Sequence, residues 1–368
     1  MTTLIHTADW QIGRQYGGFE PEDAAALADA RFAAVERIAR LAADEQADAV
    51  LVAGDVFDAQ GVSARTIRRL FNAMEPFAGP WVLIPGNHDA ALAEGVWRHA
   101  LRLGVVPANV KLALEAGVVE LPEARAAVLC APLTQRHTYT DLTEPFDGWT
   151  TPEGWLRLGL AHGAVQGLLA EDIDSANPIA PERAERARLD YLALGDWHGA
   201  KRIAERCWYA GTPEQDRFKD NGAGQVLRVR IAGPGAVPEV EALPLGRHRW
   251  RTLERRLAVP SDVDALVAEL AACGADEVLQ LTLAGTLDLA GRARLDEAIA
   301  AAEARVRALR CERGGLRLAP TAEDLAALHA DGYLGEVLAE LREADGPVEQ
   351  EALALLAGLL AGREEAAA

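Results

Sequence analysis

The sequence predicts a layered α/β domain, followed by a smaller α/β unit and a helical C-terminal segment. Three observations predict this class. Short apolar runs alternate with helical patterns in the first half, the alternation repeats on a smaller scale after a turn cluster, and only helical periodicity remains from Thr321 onward. At 368 residues the chain exceeds the usual size of one compact domain. We expect domains over 1–235 and 245–320 and a helical segment over 321–368.

Apolar runs in the first half predict buried strands at 4–8, 49–54, 81–86, 126–132, 156–162 and 191–196. Between the first two runs, the Ala-rich segment 21–48 has apolar residues at helical spacing. Ser63 is placed to cap a second helix that ends near Glu75. Residues 225–233 alternate apolar and basic side chains, which predicts a strand with one solvated face, and the turn cluster 233–238 follows it.

The second unit is predicted from the same kind of pattern. Strands are expected at 250–257 and 278–284, and helices at 261–272 and 291–309. A last helix over 348–360 carries five leucines. A helix so rich in leucine usually packs on its own domain or on a partner, and both alternatives stay open.

Composition excludes several classes of protein. No apolar run is long enough to cross a bilayer, and no basic segment with an apolar core opens the chain, so we expect a cytoplasmic protein without a membrane partner. The four cysteines are far apart, which favours reduced thiols over a zinc knuckle. The net charge of −19 argues against adhesion to nucleic acid over the whole surface, although a local basic groove is compatible with it.

Polar residues able to bind metals follow the predicted strands. In chain order they are Asp9 and Gln11, Asp55 and Asp58, Asn87 with His88 and Asp89, His162, and Asp196 with His198. Any one of these motifs is better explained as a turn or a buried polar residue. Five in order, each closing a buried strand, are hard to explain as turns alone, because sites in open α/β sheets gather at the carboxyl ends of strands.

The ordered motifs TADWQ, GDVFD, GNHD, AHG and GDWH resemble the calcineurin-like metallophosphoesterase superfamily over about 4–211. Within it, HTADW, AHGA and WYAGTPEQDRF resemble DNA-repair exonucleases of the SbcD type. The resemblance implies a layered β-sandwich flanked by helices, with a smaller α/β capping domain and a helical C-terminal tail. It also implies a metal-dependent phosphodiesterase that acts on DNA as an exonuclease or endonuclease in double-strand-break repair. Such nucleases work as dimers with a coiled-coil, SMC-like ATPase subunit.

Carried over position by position, the resemblance assigns two divalent metal ions. The first would be held by Asp9, Gln11, Asp55 and His198, and the second by Asp55, Asn87, His162 and Asp196. A water made into hydroxide between the metals would attack phosphorus in line.

The same carry-over gives His88 and Asp58 catalytic roles. His88 would protonate the leaving oxygen or stabilise the transition state, and Asp58 would hydrogen-bond this histidine. The alternative is that Asp58 only caps the following turn. Asp89 is either a helix cap or a residue that supports the ligands.

Two positions depart from the family pattern. Gln11 stands where the family commonly has histidine, and GDWH replaces GHxH. Oxygen donors in place of two imidazoles move the preference from zinc toward manganese, or magnesium. Loss of one metal is the alternative, but a site that had lost catalysis would more readily lack Asp55, Asn87 or His88.

Apart from the resemblance, only two short segments of the sequence point to a nucleic-acid substrate. In an extended segment, Arg247, Arg249 and Arg251 share one face and could contact phosphates; a solvated strand face is the alternative. Arg14 and Tyr16 follow the first motif and could touch the DNA backbone or stack on a base, although such a pair is more often structural.

The sequence leaves two alternatives to a DNA nuclease open. One is a small-molecule phosphoesterase, such as a cyclic-nucleotide phosphodiesterase, and the second domain argues against it. The other is a non-catalytic subunit that binds DNA ends. Helices near 63–74 and 91–103 are candidates for a homodimer interface, and the tail after Thr321 is a candidate for docking the ATPase.

Overall fold

The computed structural model describes residues 1–167, 176–328, 332–344 and 346–365, with side chains up to residue 361. The chain divides into two compact units, Met1–His248 and Arg249–Ala368. In chain order, the strands of the first unit are β1 (Thr2–Thr7), β2 (Ala49–Ala53), β3 (Trp81–Ile84), β4 (Val110–Leu112), β5 (Gly117–Leu121), β6 (Ala126–Ala131), β7 (Leu156–His162), β8 (Ala164–Val165), β9 (Pro178–Ile179), β10 (Tyr191–Gly195), β11 (Lys201–Ala204), β12 (Cys207–Tyr209), β13 (Gln225–Ile231) and β14 (Glu239–Pro244). Its helices are α1 (Pro21–Asp44), α2 (Ala64–Ala73), α3 (Val96–Arg102) and α4 (Arg183–Arg186).

Most of these strands form two mixed sheets. In the described part of the unit, one sheet has the order β14-β13-β1-β2-β3-β4, and the other has the order β11-β12-β10-β7-β6-β5. The strands β1 to β4 run parallel to one another, and so do β6, β7, β10 and β12. Since parallel neighbours end at the same sheet edge, the segments after β1, β2 and β3 are brought together, as are those after β7 and β10.

The two sheets pack face to face around an apolar core. Leu4, Leu51 and Val82 from the first sheet lie in one buried cluster with Val128 and Leu158 from the second. Each full burial of such a side chain stabilises the fold by about 1.5–3 kcal/mol. The layered sandwich predicted from the sequence is confirmed, and all six runs predicted as buried strands are strands.

Helices cover the outer face of the first sheet. In α1, Pro21 stands in the first turn, and buried Val35, Ile38 and Ala42 recur at helical spacing on the face toward the sheet. In α2, the Ser63 hydroxyl accepts a hydrogen bond from the Thr66 N–H, which confirms Ser63 as the cap.

The second unit is a small α/β layer with helices after it. It contains β15 (Arg249–Leu257), α5 (Pro260–Ala271), β16 (Glu277–Leu287), α6 (Leu289–Glu303), β17 (Ala308–Leu318), α7 (Ala322–Ala327), α8 (Tyr333–Glu343) and α9 (Pro347–Glu365). The three strands form a parallel sheet in the order β15-β16-β17, with buried leucines of α5 and α6 packed against it.

The predicted helix over 291–309 is wrong at its C-terminal end. The helix α6 ends at Glu303, and Ala308 already pairs with Val278 as the first residue of β17. β17 lies at the sheet edge and is only partly buried along most of its length. Its charged side chains therefore hide the apolar alternation by which a strand is recognised.

Candidate active site

The predicted ligands lie where the parallel strands end. Asp9 follows β1, Asp55 follows β2, Asn87 follows β3, and His162 is the last residue of β7. Asp196 directly follows β10. The sandwich thus brings residues that are far apart in the sequence to one edge.

Asp55 is at the centre of these contacts. Its Oδ2 accepts a hydrogen bond from Gln11 Nε2 at 2.8 Å, and its Oδ1 accepts one from the His88 main-chain N–H at 2.9 Å. His162 Nε2 lies 3.6 Å from Asp55 Oδ1, and His88 Nε2 lies 3.9 Å from Asp55 Oδ2. A carboxylate shared in this way has the position expected for a ligand that bridges two cations.

The remaining predicted ligands surround this centre. The side-chain amide of Asn87 lies 3.0 Å from His162 Nε2, and Asp196 Oδ1 lies 3.7 Å from the same nitrogen. The Asp196 main-chain N–H donates to Asp9 Oδ1 at 3.2 Å. Ligand atoms of Asp9, Asp55 and His162 all lie within 4.8 Å of one another, and the three residues are buried. That spacing is compatible with a single cation bound by all three.

His198 stands slightly apart from this group. Its described contacts are with Asp216, whose Oδ2 lies 3.2 Å from His198 Nδ1, and with Arg217, whose Nη2 lies 2.8 Å from the same nitrogen. It is close enough to Asp9 for its charge to act on that carboxyl group. Its assignment as a metal ligand stays a prediction.

Several predicted ligands have an unusual backbone conformation. Asp9, Gln11 and Asp55 have φ of 54°, 49° and 52°, in the left-handed region, and Asp196 has φ of 107°. Residues other than glycine rarely adopt such angles, and strained backbone of this kind clusters at functional sites. The strain is therefore independent support for the site.

The charges of the cluster perturb one another strongly. Burial raises the pKa of Asp9 to about 6, against the opposing charges of His198 and His162. Burial alone would lower the pKa of His162, but Asp55, Asp9 and Asp196 outweigh it and raise that pKa to about 9. Burial also raises the pKa of Asp196. Crowded, buried carboxyl groups of this kind favour a divalent cation between them.

The donor set fits such a cation. The Oε1 atom of Gln11 is buried and has no hydrogen-bond partner among the described residues, although its Nε2 is used. An unpaired buried oxygen is costly unless something binds it. His162 Nδ1 donates to the Ala53 carbonyl at 2.8 Å, which orients the ring and leaves Nε2 facing Asp55.

Asp58 contacts His88 through its main chain and not through its carboxylate. His88 Nδ1 donates a hydrogen bond at 2.9 Å to the main-chain carbonyl of Asp58, whereas the Asp58 carboxylate lies 3.6 Å from Arg14. The structure therefore corrects which atom of Asp58 makes the contact. A carbonyl fixes the tautomer of His88 as well as a carboxylate does, but it adds no full negative charge. In the described residues, no main-chain N–H donates to the Asp58 carboxylate, so the alternative role as a turn cap has no hydrogen bond to support it.

Asp89 supports the ligand loops from behind. Its Oδ1 accepts from the Gly86 N–H at 2.6 Å, and its Oδ2 accepts from the Val56 and Phe57 N–H groups at 2.9 and 3.1 Å. Burial and then the charge of Asp55 raise its pKa to about 7, against these hydrogen bonds. It joins the segments after β2 and β3.

Two residues of the site were missed from the sequence. Arg31 of α1 is 2% exposed and donates to the carbonyls of Asp9 and Trp10. The position of Arg31 on the apolar face of α1 could have identified it from the sequence as a buried, functional arginine. Asp216 sits between His198 and Arg14. Burial alone would raise the pKa of Asp216, but His198, more than Arg217 and Arg31, holds it well below its ordinary value.

The residues predicted to contact the substrate differ in how open they are to it. Arg14 lies 3.2 Å from Asp216, next to the site. Tyr16 is 7% exposed and its hydroxyl accepts from Arg31, so its ring is not open for a base to stack on. Arg251 is paired with Glu277 at 2.9 Å and with Glu269 at 3.7 Å within the second unit. These ion pairs favour a structural role for Arg251, and the roles of Arg247 and Arg249 stay predictions.

Comparison with known proteins identifies the family of the chain. The profile of the calcineurin-like phosphoesterase family matches residues 2–186. The chain belongs to this family. In the described residues, no helix is long and apolar enough to span a membrane.

Relatives of the chain include named nucleases. The SbcD component of the SbcCD nuclease of Rhodobacter capsulatus is 41% identical over 24% of this chain and 22% of its own length. A DNA double-strand break repair protein Mre11 of Methanosarcina acetivorans is 26% identical over 63% of this chain and 37% of its own. The SbcD component of the SbcCD nuclease of Bacillus subtilis is 24% identical over 63% of this chain and 66% of its own. The chain thus spans between about a fifth and two thirds of these relatives.

Proposed function

We propose that this chain is a divalent-metal-dependent phosphodiesterase that cleaves DNA, as an exonuclease or endonuclease in double-strand-break repair. The observation that carries the proposal is the convergence of Asp9, Asp55, Asn87, His162 and Asp196 at one sheet edge, with His88 beside Asp55. Membership of the phosphoesterase family supports the reaction type. The names of the relatives support DNA as the substrate.

Two cations would be held as the family pattern assigns them. Asp9, Gln11, Asp55 and His198 would bind one, and Asp55, Asn87, His162 and Asp196 would bind the other. When bound, such cations supply a nucleophilic water and positive charge opposite the phosphate oxygens. The donors are mostly carboxylate and amide oxygens, so Mn²⁺ is the metal we propose, with Mg²⁺ as the substitute.

His88 is the residue placed to handle a proton. Its Nδ1 is held by the Asp58 carbonyl, and its Nε2 lies on the side of Asp55. The side chain is 32% exposed, so a substrate can reach it. In this position His88 protonates the leaving oxygen of the broken ester or stabilises the charge that develops there.

The test is hydrolysis by the purified chain with Mn²⁺. Labelled linear duplex DNA and single-stranded DNA are compared with bis-p-nitrophenyl phosphate. We expect Asp55→Ala to abolish cleavage of all three, and His88→Ala to lower kcat by about 10²- to 10⁴-fold. Exposed Asp44→Ala and His137→Ala serve as matched controls of the same residue types and are expected to leave the rates unchanged.

The outcomes separate the alternatives. Hydrolysis of the small ester without cleavage of DNA would overturn the DNA assignment in favour of a small-molecule phosphoesterase. No hydrolysis with Mn²⁺, Mg²⁺ or Zn²⁺ would overturn the catalytic proposal and leave a DNA-end-binding subunit.

We also propose that the chain works as a homodimer and as one subunit of a larger nuclease that includes an SMC-like ATPase. On α9, Leu355 and Leu359 are 63% and 69% exposed, and on α3, Leu101 is 45% exposed. Exposed leucines of this kind favour protein contacts. Sedimentation equilibrium of Leu101→Ser tests the dimer: a variant as dimeric as the wild type would remove α3 from the interface.

A further inference from the structure

Two lysines lie near the ring of Trp197, a residue between two candidate ligands in the sequence. Trp197 stands between Asp196 and His198 in the chain, so the ring projects from the loop that carries both. The ammonium groups of Lys201 and Lys219 each lie 5.2 Å from the centre of this ring. Lys219 is exposed and Lys201 is partly exposed, so solvent reaches both cations.

The placement of lysine in this chain is selective. Of 37 basic residues other than histidine, only Lys111, Lys201 and Lys219 are lysines. Two of the three therefore converge on one indole ring. Arginine makes the described ion pairs elsewhere, such as Arg37 with Glu214 and Arg183 with Asp141.

The two lysines lack the carboxylate partners that many described arginines have. Among the residues that the structure describes, no carboxylate oxygen lies within 4.0 Å of either ammonium group. Since both lie 5.2 Å from one ring centre, the two charges are at most about 10 Å apart, a separation of about one Debye length at ~0.1 M salt. Like charges at this distance repel, and a bound anion would remove that cost.

The loops hold this arrangement in place. The Ala200 N–H donates to the Gly222 carbonyl at 3.1 Å, and the Thr212 N–H donates to the His198 carbonyl at 3.1 Å. At Gly199, an added Cβ would lie 1.7 Å from the main-chain oxygen of Asn221. The loop of Trp197 and the loop of Lys219 are therefore packed in direct contact, which fixes the main chain from which the ring and the lysine side chains project.

We propose that Trp197, Lys201 and Lys219 form a phosphate-binding subsite that holds the DNA backbone next to the bond that is cut. The inference rests on the proposed function and deepens it, because it gives the site a preference for a polymeric strand over a small ester. Lysine suits this role, since it binds phosphate as a point charge, and a phosphate contact does not depend on the base. The partly buried ring holds the ammonium groups by cation–π attraction and leaves their hydrogens for phosphate oxygens.

The test compares Lys201→Gln/Lys219→Gln with Lys111→Gln. The control removes the same kind of charge from an exposed position on β4. Binding of a fluorescent single-stranded 20-mer and of its duplex is measured in the His88→Ala background with Mn²⁺, from 50 to 300 mM salt. Each lost phosphate contact lowers the slope of log K against log salt by about 0.7–0.9. The double variant is expected to lower it by about 1.5 and to raise Kd about 10- to 50-fold at 0.1 M salt.

Cleavage adds a second readout. In the otherwise wild-type chain, the double variant is expected to lose at least about 10-fold more kcat/KM on DNA than on bis-p-nitrophenyl phosphate, since the ester has no further phosphate. If the wild type binds and cuts DNA but the double variant matches Lys111→Gln in slope and Kd, the subsite is overturned while the proposed function stands. If the wild type neither binds nor cuts the DNA, the proposed function is overturned, and the subsite that rests on it is overturned as well.

Discussion

Replacing Arg31 by methionine should destabilise the first unit and loosen the metal site together. The guanidinium group is 2% exposed and donates to the carbonyls of Trp10 at 2.6 Å and Asp9 at 3.2 Å. It also reaches Thr212 Oγ1 at 3.0 Å and the Glu214 carbonyl at 3.3 Å. The Glu214 carbonyl keeps a donor without Arg31, because Thr212 donates to it at 3.0 Å.

The size of the loss in free energy of unfolding follows from the number of buried acceptors that Arg31→Met leaves without a donor. Asp9 and Trp10 would each lose the donor to a buried carbonyl, at about 1–3 kcal/mol for each. The expected loss in free energy of unfolding is therefore about 2–6 kcal/mol. Both carbonyls flank ligand positions with left-handed backbone, so the affinity for Mn²⁺ should fall as well.

Urea unfolding and calorimetric Mn²⁺ titration measure the two effects. Arg40→Met is the matched control, because Arg40 is on the same helix, is 66% exposed and pairs only with Glu36 among the described residues. Such a surface pair contributes about 0–1 kcal/mol. Arg31→Lys keeps the charge without the planar fork and should give a smaller loss than Arg31→Met. If Arg31→Met costs no more stability than Arg40→Met, the reasoning from unpaired carbonyls is refuted.

Three further predictions concern the site. Gln11→His should strengthen metal binding and shift preference toward Zn²⁺ in calorimetry, and unchanged binding would place Gln11 away from the metal. With its pKa raised to about 9, His162 is protonated at pH 7.5, so Mn²⁺ binding should release about one proton, seen as buffer-dependent heat; no release would contradict a protonated His162 that becomes a ligand. In the metal-free chain the His162 imidazolium stabilises the fold fully below about pH 6.5, and this contribution is lost as pH rises through about 9. Gly199→Ala should cost at least about 2 kcal/mol, because its methyl group would meet the Asn221 oxygen; a melting temperature like that of the wild type would contradict this.

The strands and the ligand order were accessible from the sequence for a simple reason. Parallel strands buried on both faces are continuous apolar runs, and the polar residue that ends each run is visible without a structure. Asp55 after β2 and His162 at the end of β7 could therefore be singled out from the pattern as candidates, and the resemblance to a family then gave them their predicted roles.

Other features depended on contacts that no local pattern encodes. The Asp58 main-chain oxygen, which orients His88, is the same atom in any residue type. Tyr16 is buried by Arg31, a partner fifteen positions away on α1. The edge strand β17 lacks a clear apolar stripe because little covers it. Main-chain chemistry, tertiary partners and edge position are thus what sequence reasoning could not supply.

The left-handed backbone at the ligands decides which substitutions are informative. An alanine at Asp9 or Asp55 removes the carboxylate and also places an ordinary residue at φ near +50°, which costs about 1–2 kcal/mol by itself. Asparagine tolerates this region almost as well as aspartate and has the same shape. Asp9→Asn and Asp55→Asn therefore separate the loss of charge from the loss of local shape. β-branched residues at these positions would lower activity by straining the turns, so their effect would not measure the loss of a metal ligand.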